Sequence, residues 1–140
     1  MTKATISLNA KSNTAANLQL NFRFDNIHVK SMILTDEIQQ FYYEFNDAPR
    51  DHIFEIELLN KKPKHTSVDQ NNKIVADIFA EIFDVKISGI ELGPVFYGQS
   101  VYFYNNPKPV VGQFFRQLGC NGIVRFKFYS PAYAWLMENI

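Results

Sequence analysis

The chain has 140 residues, 46% of them hydrophobic and 15% aromatic, and its 14 basic side chains balance 14 acidic ones. That length fits one domain over residues 1–140 and can bury a sizeable core, while the absence of net charge leaves no long-range field to gather phosphates, so nucleic acid is not an expected partner. Cys120, the single cysteine, excludes an intrachain disulfide and a cysteine-based zinc site, and its turn-like setting predicts a structural thiol.

The amino terminus lacks the apolar run of a signal peptide, which predicts synthesis and folding in a reducing cytoplasm. No stretch approaches the roughly 20 apolar residues that span a bilayer. Leu18, Leu20, Phe22 and Phe24 then fall on every second position, the period of a strand with one buried face. Residues 41–45 read as a strand with aromatic rings on both faces. In residues 53–58, Phe54, Ile56 and Leu58 point inward, and Glu55 and Glu57 point outward into solvent.

A polar connection follows over residues 60–73. Residues 74–90 carry two patterns. Ile74, Ile78, Glu81 and Ile82 mark a helical face, whereas Ala76, Ile78, Ala80 and Ile82 alternate as a strand. β-Branched and aromatic residues dominate the run and no cap precedes it, so a bent or bulged strand is predicted. Residues 101–104 form a short strand, and Asn121-Gly122 suits a tight hairpin with positive φ angles. Val124, Phe126 and Phe128 alternate with Arg125 and Lys127. Ser130 as N-cap and Pro131 as first helical residue open a short helix that includes Tyr133, Trp135, Leu136 and Met137. The expected fold is all-β: a two-sheet antiparallel sandwich, jelly-roll-like, with a short C-terminal helix. A closed barrel is the alternative.

Two regions are candidates for binding. In the 60–73 connection, Lys61, Lys62 and Lys64 beside His65 suit an anionic group, and Asp69 and Asn71 present oxygens two residues apart. That spacing begins like a calcium loop, for which Asp77 or Asp84 would supply further ligands, although the glycine and distal glutamate of a helix–loop–helix site are missing. A solvated hairpin loop explains the same residues. The second region holds Tyr97, Tyr102 and Tyr104 beside Asn105 and Asn106. A flat ring next to amides stacks on a sugar face while the amides bond its hydroxyls. Core packing accounts for the same tyrosines, and their exposure decides between the two. His28, His52 and His65 form no His-x-x-x-His pair, and there is neither a glycine-rich phosphate loop nor a Gly-x-Ser-x-Gly elbow. A non-enzyme is expected.

Residues 54–61, 65–69, 73–77 and 82–90, from Phe54-Glu55-Ile56-Glu57 to Ser88-Gly89-Ile90, resemble the core hairpin of calcium-dependent xylan-binding β-sandwich modules. Such modules carry an Asn-Asp pair and an Asp-Arg-Asn cluster near their calcium; here Asp77 is followed by Ile78 and Phe79, and Asn46-Asp47 sits in another context. Residues 122–128 and 131–138, with Pro131-Ala132-Tyr133-Ala134-Trp135, resemble the carboxyl end of small tailed-bacteriophage proteins. These resemblances imply a virion accessory protein of tail, baseplate or capsid, made in the host cytoplasm and bound to other virion proteins or to itself. The alternative they imply is a carbohydrate-binding module using exposed tyrosines on a cell-surface glycan, assisted by calcium.

Overall fold

Alternating burial is the rule from the first strand onward. The structure, a computed structural model, describes residues 2–140. Its strands are β1 (Lys3–Ser12), β2 (Gln19–Phe24), β3 (Ile27–Ile33), β4 (Gln39–Asn46), β5 (Arg50–Leu58), β6 (Thr66–Val68), β7 (Ile74–Asp77), β8 (Ala80–Ile87) and β9 (Ile90–Glu91). After helix α1 (Pro94–Gln99) come β10 (Ser100–Asn105), β11 (Pro109–Gln113), β12 (Gln117–Leu118), β13 (Gly122–Ser130) and helix α2 (Ala132–Asn139). One sheet has the order β12-β8-β1-β4, with β9 also paired to β8; the other has the order β11-β10-β13-β5-β2-β3. Among the described residues these strands pair antiparallel throughout, and β6 and β7 form a separate small hairpin.

The predicted sandwich is therefore present, with its core between the two sheets. Ile6, Leu8 and Ala10 of β1 face Leu20, Phe22 and Phe24 of β2 and Phe54, Ile56 and Leu58 of β5 across one continuous cluster. Rings meet across the sheets: Phe22 stacks on Phe41 at 4.2 Å and Phe24 on Phe45 at 4.9 Å. Each such buried side chain contributes about 1.5–3 kcal/mol relative to exposure. The 74–90 run is strand, as alternation predicts, but it breaks at Ile78 and Phe79, so that β7 joins the small hairpin and β8 the main sheet.

Three local expectations are corrected. Asn121-Gly122 makes no hairpin: neither residue has positive φ, and the chain there crosses from β12 in one sheet to β13 in the other. Ser130 does not cap the last helix. Pro131 is the N-cap residue, and the Ala132 N–H is accepted by Asp47 Oδ1 at 2.8 Å, so the cap comes from a distant loop. Trp135 of α2 then packs edge-on against Phe126 and Phe128. Finally, Glu55 is only 4% exposed although it lies on an outer sheet face. Arg125 Nε at 3.0 Å and Arg23 Nε at 3.4 Å cover its carboxylate, and the Arg125 guanidinium lies over the Phe103 ring.

Candidate functional site

The free end of the six-stranded sheet, where β10 meets β11 and β13, carries two neighbouring clefts. Glycine creates the local shape. Gly122 lies opposite Tyr104 in the β10–β13 register, and Gly112 lies opposite Tyr102 in the β10–β11 register. A Cβ on Gly122 would sit 2.3 Å from the Phe103 carbonyl and 2.8 Å from Tyr104 Cβ. The missing side chain lets the Tyr102 and Tyr104 rings lie close, with centroids 4.6 Å apart.

Tyr102 is buried, and its hydroxyl donates to the Cys120 carbonyl while accepting the Cys120 N–H at 3.1 Å. Burial pushes its phenol well above the ordinary tyrosine range. It thus acts as a strut beneath the 119–121 loop. Tyr104 stands further out, half-buried, and borders both clefts.

The first cleft, about 430 Å³, is paved by Phe103, Val111, Ile123 and Leu59. Its polar groups are largely committed elsewhere. Glu57 is held by Arg23 at 2.9 Å, and the Asn121 amide both accepts from and donates to the Lys61 backbone at 2.7 Å. Asn105 is the exposed amide left there.

The second cleft, about 340 Å³, is lined by Tyr102, Tyr104, Phe115, three amide side chains (Asn106, Gln113 and Gln117) and the Gly119-Cys120 backbone. The three amides are exposed, and Phe115 is 65% exposed. An exposed ring of that size is held out by its backbone. Gln117 N–H bonds the Phe115 carbonyl at 2.7 Å across Arg116, whose φ is 67°. An i to i+2 bond around a non-glycine residue at positive φ is the strained, rarer form of γ-turn. The turn is fixed from outside: the Arg116 guanidinium lies over the Phe83 ring at 4.6 Å, its Nε meets Glu81 at 3.2 Å, and its carbonyl accepts Ile82 N–H at 2.8 Å. Rings and free amides sharing one rigid hollow can stack on a sugar ring and bond its hydroxyls.

The residues singled out from sequence are placed as follows. Tyr102 and Tyr104 come together in the second cleft, and Tyr104 and Asn105 border the first. Tyr97 belongs to α1, half-buried, with its hydroxyl bonded to the Ile82 carbonyl at 3.0 Å and its ring on Phe96 and Phe114. His65 closes a turn, its Nδ1 accepting Lys62 N–H at 3.0 Å. Phe115, Gln113 and Gln117 were not anticipated. Their signal is Phe115 flanked by polar residues two positions either side, which alternation alone does not separate from an ordinary strand.

The calcium candidates do not converge. Asp69 Oδ1 accepts the N–H groups of Asn71 at 2.8 Å and Lys73 at 3.0 Å, which folds the tip of the β6–β7 hairpin. Asp77 lies at the other end of that hairpin, opposite Thr66, roughly 10 Å away at strand rise. Its Oδ1 accepts Lys61 Nζ at 2.6 Å, Thr66 Oγ1 at 2.7 Å and Ile78 N–H at 3.0 Å. Burial works against that carboxylate, but the bonds from Lys61 and Thr66 outweigh it and hold the carboxyl below its ordinary range. Asp84 sits in a bulge of β8, bonded to Asn9 at 3.1 Å. No three His, Cys, Asp or Glu side chains gather as a metal site among the described residues. As placed, Asp69, Asn71, Asp77 and Asp84 do not assemble the six to eight oxygens that a calcium ion takes.

A third constellation was invisible in the sequence. His52 Nδ1 meets Asp25 Oδ2 at 2.8 Å, and its Nε2 bonds Ser130 Oγ. The order Ser-His-Asp is that of a nucleophile with its base. Here His52 is 2% and Ser130 4% exposed, beneath Phe24, Phe45 and Phe128. A hydroxyl sealed in this way cannot meet a substrate carbonyl, so the arrangement is a core brace joining the β2–β3 turn to β5 and β13.

The scaffold that carries these features is an antiparallel two-sheet β-sandwich with a short C-terminal helix. Two solved structures share it: the selenomethionine form of vCBM60, described with a circular permutation linking two families of calcium-dependent carbohydrate binding modules, and vCBM60 in complex with galactobiose. The first superposes with a TM-score of 0.59 at 14% identity, over 88% of this chain and 89% of that one. The second gives 0.54 at 16% identity, over 87% and 96%. No protein-family model and no curated protein sequence matches the chain.

Proposed function

We propose that this protein is a non-catalytic carbohydrate-binding module whose site is the Tyr104–Phe115 cleft. The observation that carries this reading is the presentation of Phe115 by a strained turn, beside Tyr104 and three exposed amides. Strain maintained at the surface, with an exposed aromatic ring as its product, is characteristic of a binding site. The sandwich shared with vCBM60, one structure of which holds galactobiose, supports the same class of ligand. Glycan-array screening followed by calorimetry tests it, with galactobiose and xylan oligosaccharides among the probes. Phe115→Ala is expected to weaken binding by about 1–2 kcal/mol, roughly 5- to 30-fold, through loss of a stacking partner. Tyr42→Ala, which removes an exposed ring from the other sheet, is expected to leave it unchanged. A flat array, or equal binding by Phe115→Ala, overturns the proposal.

A second reading, self-association of this chain, has one structural argument of its own. β3 is an outer strand of its sheet, and Ile27 and Ile33 on it are 66% and 50% exposed. Unpaired edges of this kind template pairing with another chain. Light scattering across a concentration series tests self-association through that edge, and a monomer at all concentrations counts against it.

A further inference from the structure

We infer that the ammonium of Lys61 is the built-in cation of the loop cluster under the cleft, so that this protein folds and recognises its ligand without calcium. The inference rests on the carbohydrate-binding reading for its ligand arm only.

Lys61 is tied at both ends to the 119–121 loop. Its backbone N–H donates to Asn121 Oδ1 and its carbonyl accepts Asn121 Nδ2, each at 2.7 Å. Its side chain, 8% exposed, runs inward so that Nζ donates both to Asp77 Oδ1 and to the Gly119 carbonyl. A carboxylate, a backbone carbonyl and the nearby Thr66 hydroxyl are the oxygen types that calcium collects in a loop. Here one ammonium meets two of them directly, and Thr66 instead donates its proton to Asp77. A calcium ion in the same place would face an ammonium at contact distance, and its first carboxylate would already be neutralised. Asp69, the other loop carboxylate, is occupied with two backbone N–H groups.

The consequence reaches the site because Gly119 and Cys120 form one wall of the Tyr104–Phe115 cleft. The Lys61 bond to Gly119 and the Tyr102 bonds to Cys120 hold that wall from two sides. Lys61 is therefore a positioning residue: it touches no ligand and fixes the loop that does.

The test has arms that do not depend on each other. Calcium titrated into the unliganded protein is expected to give no saturable heat, and melting in EDTA and in excess calcium is expected to agree within about 1 °C. A calcium site filled at 100 times its Kd would raise the melting temperature by several degrees. Saturable calcium binding or such a rise overturns the inference whatever the protein recognises. Lys61→Met is expected to speed amide exchange at residues 119–121 while β5 and β13 stay protected. Unchanged protection there overturns the positioning role. Asp77→Asn, which keeps the shape and removes the negative charge, is expected to act in the same direction and serves if Lys61→Met does not fold. For any glycan that binds, affinity in EDTA is expected to stay within about twofold of that in calcium; a larger drop overturns the inference. A chain that binds no glycan but shows no calcium effect refutes the functional proposal and leaves Lys61's role standing.

Discussion

The substitution His52→Ala removes a 2%-exposed ring that bridges a carboxylate and a hydroxyl inside the aromatic end of the core. Three losses combine. The bond between the ring and the Asp25 carboxylate at 2.8 Å is charge-assisted, worth about 1.5–3 kcal/mol. Ser130 Oγ, in a residue 4% exposed, is left without its partner, at about 1–3 kcal/mol. The vacated ring leaves a hole beside Phe24, Phe45 and Phe128, at a further cost of about 2 kcal/mol if the rings do not collapse into it. These losses overlap, because Asp25 retains the Ile53 N–H at 2.9 Å and partial access to water, so the expected sum is about 3–5 kcal/mol. For a chain of this size that lowers the melting temperature by roughly 8–15 °C. Urea unfolding of wild type, His52→Ala, Ser130→Ala and the double variant measures it. The two residues are expected to couple by about 1–2 kcal/mol, since the second loss is smaller once the first partner has gone. A loss below about 1 kcal/mol for His52→Ala, or strict additivity, would refute the brace.

Gly122→Ala forces a methyl group against the Phe103 carbonyl and Tyr104 Cβ, so β10 and β13 must separate; a loss of about 2–3 kcal/mol is expected by denaturant titration, and a neutral result would show that the tyrosine pair does not depend on that close approach. Burial raises the Tyr102 phenol above the value of 10 it has when unfolded, so its contribution is complete below that pH. It is lost as the pH climbs beyond 10, because the unfolded chain then releases a proton that the folded chain keeps. Stability measured from pH 8 to 11 is expected to fall along this limb, and Tyr102→Phe to flatten it; an unchanged slope in the variant assigns the limb to another group.

Much of the framework was legible because strand periodicity is a property of neighbouring residues. Leu18 to Phe24, Phe54 to Leu58 and Val124 to Phe128 alternate, and each buries the predicted face. Glu55 shows the limit of that pattern. Alternation placed it outside correctly, but its burial depends on Arg23 and Arg125, which strand pairing brings from 32 and 70 residues away. The cap of α2 is similar: Ser130-Pro131 marks a helix start, whereas the group that satisfies Ala132 is Asp47, 85 residues distant.

The candidate site divides along the same line. Tyr102, Tyr104, Asn105 and Asn106 stood out as rings among amides within one short segment. Local composition does not tell a strut from a platform, and it was the Cys120 loop that made Tyr102 the former. Phe115 became prominent through the positive φ of Arg116, which Phe83 and Glu81 of β8 hold from more than 30 positions back in the chain.

By itself, then, the amino-acid order determined that this protein is an antiparallel sandwich with a short closing helix, since hydrophobic period and turn chemistry act over a few residues. Only the tertiary structure decided that Asp77 is matched by Lys61 rather than grouped with Asp69, that His52 is a brace, and that a ring-and-amide hollow opens beside Tyr104. Those outcomes depend on which strands become neighbours, and pairing between distant strands is set by how the whole core packs.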